Sequence, residues 1–237
     1  MNEILFKKEK DVTPFSFDEK TLKILSNFAS IHSSMVIQKD KLSVVNNSNS
    51  CIGLYNFPEP YDFNEFGLYD TQEFLSAISV FETFPEINVK DNYLDISSKE
   101  NKLKYFTTAK ELIPKVIDLE DQFNKLDPDL VFNLSADKLA LINKISSIIK
   151  SKYVFFESRK KKILITVCNE LESSNNSYEL YIDDIEVNNL EKPVKIELDN
   201  FKMLPGEYKI EMKVKNSKMM SRWSNLNGVK YFIAGSI

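Results

Sequence analysis

The side chains best suited to chemistry are scarce in this sequence and badly spaced for it. His32 is the single histidine, and Cys51 and Cys168 are the two cysteines. A structural zinc site draws four ligands from Cys and His, so these three would need an unusual carboxylate partner, and two cysteines make no disulfide framework. With five glycines there is no Gly-rich phosphate loop and no G-x-S-x-G elbow. Asp183 and Asp184 are adjacent on an extended stretch, where neighbouring side chains point to opposite faces, which spoils them as an acid–base pair. Cys168 lies in an apolar run and reads as core. No catalysis, no metal and no cofactor are expected.

Charge points elsewhere. The net charge is −4, with 31 basic and 35 acidic residues, so the chain is not coated in positive potential and any nucleic-acid face must be local. Only Arg159 and Arg222 are arginines. The forked guanidinium that reads guanine is thus almost absent, and sequence-specific base readout is not expected. An AT-rich coding sequence accounts for the same skew toward Lys, Asn and Ile. The longest apolar runs, such as Val154-Phe155-Phe156, fall far short of the roughly 20 residues of a membrane span, and no apolar stretch follows a basic N-terminus. A soluble, intracellular protein is expected, with no membrane partner.

The lysines are positioned by a module that recurs four times. Each copy opens on an extended stretch ending in Ser or Asp: Phe15-Ser16-Phe17-Asp18, Gly67-Leu68-Tyr69-Asp70, Phe132-Asn133-Leu134-Ser135 and Ile196-Glu197-Leu198-Asp199. The oxygen side chain can accept the free N–H groups of a first helical turn. Ser16 with Glu19 and Asp70 with Glu73 have capping-box spacing. Alternating or β-branched strands follow: 35–38, 42–45 and 52–55; 87–90, 93–96 and 103–106; 153–157, 163–167 and 178–182; then 208–214, a weak strand around Trp223, and 229–233. The fourth helix shrinks to Asn200-Phe201-Lys202-Met203-Leu204 before Pro205-Gly206, one turn at most. The fold class is α+β, with two similar domains, each a pair of β-α-β-β-β repeats. The boundaries read 1–112, with 1–14 as an extension, 113–129 as an acidic connector bearing two prolines, and 130–237.

The first helix sets Lys20, Lys23, Asn27, Ser30 and Ser34 on one face and Leu22, Leu25, Phe28 and Ala29 on the other. The second buries Phe74, Leu75, Ile78 and Phe81 behind an uncharged polar stripe. The third buries Leu141, Ile142, Ile145, Ile148 and Ile149 and shows Lys144, Ser147 and Lys150. Solvated helix faces commonly look like this; the fourfold recurrence is what suggests function. Lysine on a flexible stem neutralises phosphates without fixing register, so such faces suit weak, nonspecific contact with duplex DNA. Lys20, Lys23, Asn27, Lys144, Lys150 and Lys202 are candidates for that face, together with Arg159 and Lys160 from the turn Arg159-Lys160-Lys161-Lys162.

Three segments in this order resemble a known family. They are Leu25-Ser26-Asn27-Phe28-Ala29-Ser30-Ile31-His32-Ser33, then Leu68-Tyr69-Asp70 with Phe74-Leu75 and Ile78-Ser79, then Asn200-Phe201-Lys202-Met203-Leu204-Pro205-Gly206-Glu207-Tyr208-Lys209. The pattern, which spans the chain from about Phe15 onward, looks like a DNA polymerase sliding clamp of the tailed-phage trimeric type, related in fold to proliferating-cell nuclear antigen. The resemblance implies a homotrimeric ring with helices lining the hole and one continuous sheet outside. Its implied partners are double-stranded DNA, a DNA polymerase and a clamp loader, in the cytoplasm of an infected host if the chain is phage-encoded. It places the subunit interface on the strands of Leu103, Tyr105 and Thr107 and of Tyr178, Leu180 and Ile182. It places a pocket for a hydrophobic partner peptide at Val44, Ile52, Leu54, Ile117, Leu119, Phe232 and Ile233, residues that plain core packing would equally explain. The long extension and the few basic residues on the second helix depart from the family pattern.

Two other readings share parts of this sequence. A β-rich phage structural or adaptor subunit would have the strand repeats without needing lysine-bearing helices. A single-stranded DNA binder would want aromatics interleaved with basic residues on one sheet face, whereas Tyr105-Phe106 and Tyr153 with Phe155-Phe156 alternate with apolar residues.

Overall fold

The computed structural model describes residues 13–160, 162–171 and 176–237. Most of the extension 1–14, along with Lys161, lies outside the described residues. The repeats follow the expected order of elements, except that the first opens on an isolated bridge at Phe15 instead of a strand. The first has α1 (Glu19–Ile31) and the meander β1 (Met35–Ile37), β2 (Lys41–Val45) and β3 (Cys51–Asn56). The second has β4 (Phe66–Leu68), α2 (Thr71–Ile78), β5 (Glu86–Val89), β6 (Tyr93–Ser98) and β7 (Asn101–Phe106). A short helix, α3 (Glu120–Asn124), interrupts the connector. The third has β8 (Leu130–Leu134), α4 (Ala136–Ile149), β9 (Tyr153–Arg159), β10 (Lys162–Cys168) and β11 (Tyr178–Ile182). After β12 (Ile185–Asn188) the fourth has β13 (Val194–Glu197), a 3-10 turn at Leu198–Asn200, β14 (Tyr208–Lys215), β15 (Lys218–Ser224) and β16 (Val229–Ser236).

Capping explains where the helices start. Asp18 accepts from the Thr21 N–H at 2.7 Å, Asp70 from Glu73 at 3.0 Å and Ser135 from Lys138 at 3.4 Å. Each oxygen satisfies a donor that a first turn leaves free. The expected box of Ser16 with Glu19 does not form: Ser16 donates instead to the Pro85 carbonyl at 2.6 Å, and Asp18 is the cap.

The repeats interlock in pairs. β4 of the second repeat pairs with β1 of the first, while Phe15 of the first bridges Ile87 on β5 of the second. Likewise β8 pairs with β14, and β13 with β9. Every opening strand therefore joins its companion's meander, so neither repeat of a pair closes its sheet alone. The two halves are then welded edge to edge, β3 running antiparallel to β16 from Cys51↔Ile233 to Tyr55↔Val229. The result is a 13-stranded sheet, with β5-β6-β7 as a separate three-stranded one.

Strand alternation sorts the welded region into two faces. Leu42, Val44, Tyr55, Tyr231, Ile233 and Trp223 join the main core with Leu25 and Phe28 of α1 and Leu139 and Ile142 of α4. Val45, Ile52, Leu54 and Phe232 lie on the opposite face, in a smaller cluster with Phe123 of α3.

Three sequence expectations are corrected, and one strand, β12, was not expected. The strand around Trp223 is not weak but seven residues long, paired on both sides. The segment holding Glu186 is the strand β12, paired with β8. Ser34 is buried beside β1 instead of lying on the wet face, and Ile148 is 63% exposed instead of buried.

Candidate functional site

On the helix side of the sheet, the proposed phosphate-contacting residues divide into free cations and structural ones. Lys144 and Lys150 are exposed, with Lys150 ending α4 at φ 52 in the left-handed region. Lys20 is exposed with its Nζ 5.2 Å from the centre of the Tyr55 ring, and Lys23 pairs with Glu19 one turn earlier at 2.6 Å. Asn27 and Lys202 have another task. Asn27 donates to the Lys202 carbonyl at 2.8 Å and accepts from the Tyr231 hydroxyl at 2.6 Å. Lys202 Nζ donates to the Ser30 carbonyl at 2.8 Å, satisfying a free carbonyl at the end of α1. Together these bonds tie α1 to the fourth repeat, directly over the β3–β16 weld. Arg159 pairs with Glu157 at 3.0 Å, and Lys160, at φ 53, forms the turn between β9 and β10.

The remaining candidates for chemistry are structural. His32 is hydrogen-bonded at both ring nitrogens, to Ser34 and to Asn47. Burial pushes the Cys51 thiol up to about 12, away from the thiolate that would react, and Cys168 is buried too.

On the opposite face the connector crosses the weld. Phe123 packs on Phe232 with ring centres 5.7 Å apart and sits under Lys213 and Arg222, at 4.2 and 4.8 Å from its centroid. Glu120 receives Lys230 at 2.7 Å and Arg222 at 3.3 Å, and Arg222 also pairs with Glu211 at 2.6 Å. Lys213 donates to the carbonyls of Phe123 and Leu126. Burial holds the Lys213 ammonium below its ordinary pKa, and the nearby Arg222 adds to this.

This geometry redistributes the expected peptide pocket. Ile52, Leu54, Ile117, Leu119 and Phe232 do converge beneath the connector, but the hollow they line is only about 70 Å³. Val44 and Ile233 point away from it, into the main core, since each is out of alternation with Val45 and Phe232. The open groove, about 890 Å³, lies on the far side of α3, against the ends of β14, β15 and β16. The sequence had marked none of its floor, Phe123, Leu126, Met219, Met220 and Ala234; the connector's amphipathic turn was the available signal.

Among the described residues the strands expected at subunit contacts are both edges: β7 pairs only with β6, and β11 only with β10. Thr107 N donates to the Asn92 carbonyl at 3.0 Å, which fixes the alternation so that Leu103 and Tyr105 bond to β6. The backbone groups of Lys102, Lys104 and Phe106 therefore face outward. By the same reasoning from Leu198 N to the Lys152 carbonyl at 2.8 Å, Tyr178, Leu180 and Ile182 bond to β10, and Glu179 and Tyr181 face outward. Tyr105 stacks on Phe74, and Leu180 and Ile182 are core. The expected interface residues are thus the inner registers of edge strands whose outer registers carry the open ladder.

Four interlocked repeats, helices on one face and a connector on the other make up the DNA-clamp fold. Among solved structures, the Proliferating Cellular Nuclear Antigen of Entamoeba histolytica superposes with a TM-score of 0.69 at 15% identity, covering 96% of this chain and 100% of that one. The chain is 25% identical over 219 residues to the sliding clamp of Escherichia phage RB69, covering 90% of this chain and 93% of the relative. It is 22% identical over 221 residues to that of Vibrio phage KVP40, covering 92% and 97%. No family model matches. In fold the chain is similar to Proliferating Cellular Nuclear Antigen, and along nearly its whole length it is similar in sequence to two phage sliding clamps.

Proposed function

We propose that three copies of this chain join head to tail into a ring that encircles duplex DNA and tethers a DNA polymerase, with a clamp loader to open it and no catalysis of its own. Each copy contributes two domains, 1–112 and 130–237, bridged by 113–129, and the ring works in the cytoplasm of the infected host.

The observation that carries this reading is the β3–β16 weld. It joins the last strand of the first repeat to the last strand of the fourth. Among the described residues, the last strands of the second and third repeats, β7 and β11, are left as open edges. Because those two edges differ, their pairing between copies is heterologous, the kind of contact that closes into a ring. Their outward registers are complementary, with Lys102 and Lys104 on one and Glu179 on the other. On the helix side, Lys20, Lys144 and Lys150 stand without a carboxylate within salt-bridge distance among the described residues, as loosely held phosphate contacts would.

Replacing Lys20, Lys23, Lys144 and Lys150 together by Ala should shorten the products of processive synthesis several-fold while the ring keeps its mass. Unchanged product length would remove these lysines from the DNA face.

A further inference from the structure

We propose that the open groove beside α3 takes a peptide whose apolar anchors are flanked by carboxylates. This rests on the reading of the chain as a clamp that holds partners by short peptides, and it adds the partner's charge.

The floor of the groove is apolar, and its charged lining is of one sign. Lys213, Lys215 and Lys218 border it, and no Asp or Glu does, in a chain where acids outnumber bases 35 to 31. Lys213 is committed to the carbonyls of the connector. Lys215 and Lys218 are exposed and make no ion pair among the described residues.

Their placement is the second observation. Lys215 and Lys218 are direct cross-strand partners, closing the β14–β15 hairpin. Like charges set opposite each other on a sheet are unfavourable, so the fold alone gives no reason for the pair. The turn between them, Asn216-Ser217, has φ of 50 and 60 at its two residues, the conformation of a tight hairpin turn. It therefore fixes the backbone of both lysines at one end of the groove. They share the face of Lys213 and Met220 by alternation, next to Phe123 and Leu126. A ligand seated on that floor meets two uncompensated cations at one end, and a carboxylate there would relieve their repulsion as well as gain its own attraction.

The test uses two labelled synthetic peptides with the same Leu and Phe anchors, three and four residues apart, one flanked by Asp and the other by Lys. Binding to the intact ring is read by fluorescence anisotropy at low and high salt. The acidic peptide should bind about tenfold tighter at low salt, with the gap narrowing as salt rises. Lys215→Glu with Lys218→Glu should reverse the order, and Met220→Arg should weaken both peptides. Equal affinities, a preference for the Lys peptide, or a preference untouched by the Lys215 and Lys218 changes would overturn the proposal while leaving peptide docking intact. If neither peptide binds a ring of the correct mass, the docking role of the groove fails, and this proposal with it.

Discussion

Two pairs of strand ends can be compared: the β3–β16 weld inside the chain and the open edges of β7 and β11. At the weld both faces are covered. Asn27, Lys202 and Tyr231 bridge it on the helix side, and α3, held by Arg222, Lys213 and Lys230, lies across it on the other. At the open edges the outward ladder of β7 has no partner strand among the described residues, and on β11 the Tyr181 carbonyl is met by the side chain of Lys138 at 3.0 Å. Phe106 and Tyr181 are exposed there, at 64% and 48%. Proteins seldom leave such edges bare. In the proposed ring, what a covalent connector secures once within the chain would be secured between chains by association, and that joint would be the one able to open.

The change expected to act most strongly attacks the weld. Phe232→Asp would set a carboxylate between Phe123 and Ile52 in place of a buried ring, destabilising the fold by about 3 kcal/mol or more in urea denaturation. Loss of less than about 1 kcal/mol would mean that the connector face contributes little.

The corresponding change at the open edge should act on assembly and not on the fold. Lys104→Pro removes an outward N–H from β7, which an edge strand tolerates, so the monomer should stay within about 1 kcal/mol of the wild type. Association should weaken at least about tenfold, or 1.4 kcal/mol, as read by sedimentation. A proline variant that assembles normally would separate β7 from the joint.

Asn27→Ala sharpens the comparison on the helix side. It removes two hydrogen bonds across the weld and should cost about 1–2 kcal/mol, measured as above. If Asn27 served only to touch DNA, stability would not move.

Asp18→Ala, remote from both joints, should cost about 0.5–1 kcal/mol at neutral pH. The Thr21 side chain and backbone hold the Asp18 carboxyl below its ordinary 3.8. A lowered pKa means the cap's contribution is present above that value and lost as pH falls through the folded-state pKa. The melting temperatures of variant and wild type should therefore converge in acid.

Much of this was legible in the sequence because periodicity survives translation into structure. Phe28, Phe74 and Ile142 fall on the buried faces of their helices, and Asp18, Asp70 and Ser135 do cap them. The misses have physical reasons. β12 hid behind the acidic run of Asp183, Asp184 and Glu186, of which only Glu186 lies on the strand itself. β15 reads as weak because Met219, Ser221 and Trp223 face the core while Met220 and Arg222 also have partners, so no alternation shows. Asn27 looked like one more wet polar residue, since a bond spanning 204 residues to Tyr231 leaves no local trace. The groove escaped for the same reason: it exists only where α3 meets the far ends of three later strands.

The central claim is that β7 of one copy pairs with β11 of the next, and the solution mass tests it most directly. Light scattering should give three chains of 27.5 kDa for the wild type and a single chain for Lys104→Pro at the same concentration. A single chain for the wild type at every concentration, or a ring mass that the proline leaves unmoved, would contradict the account.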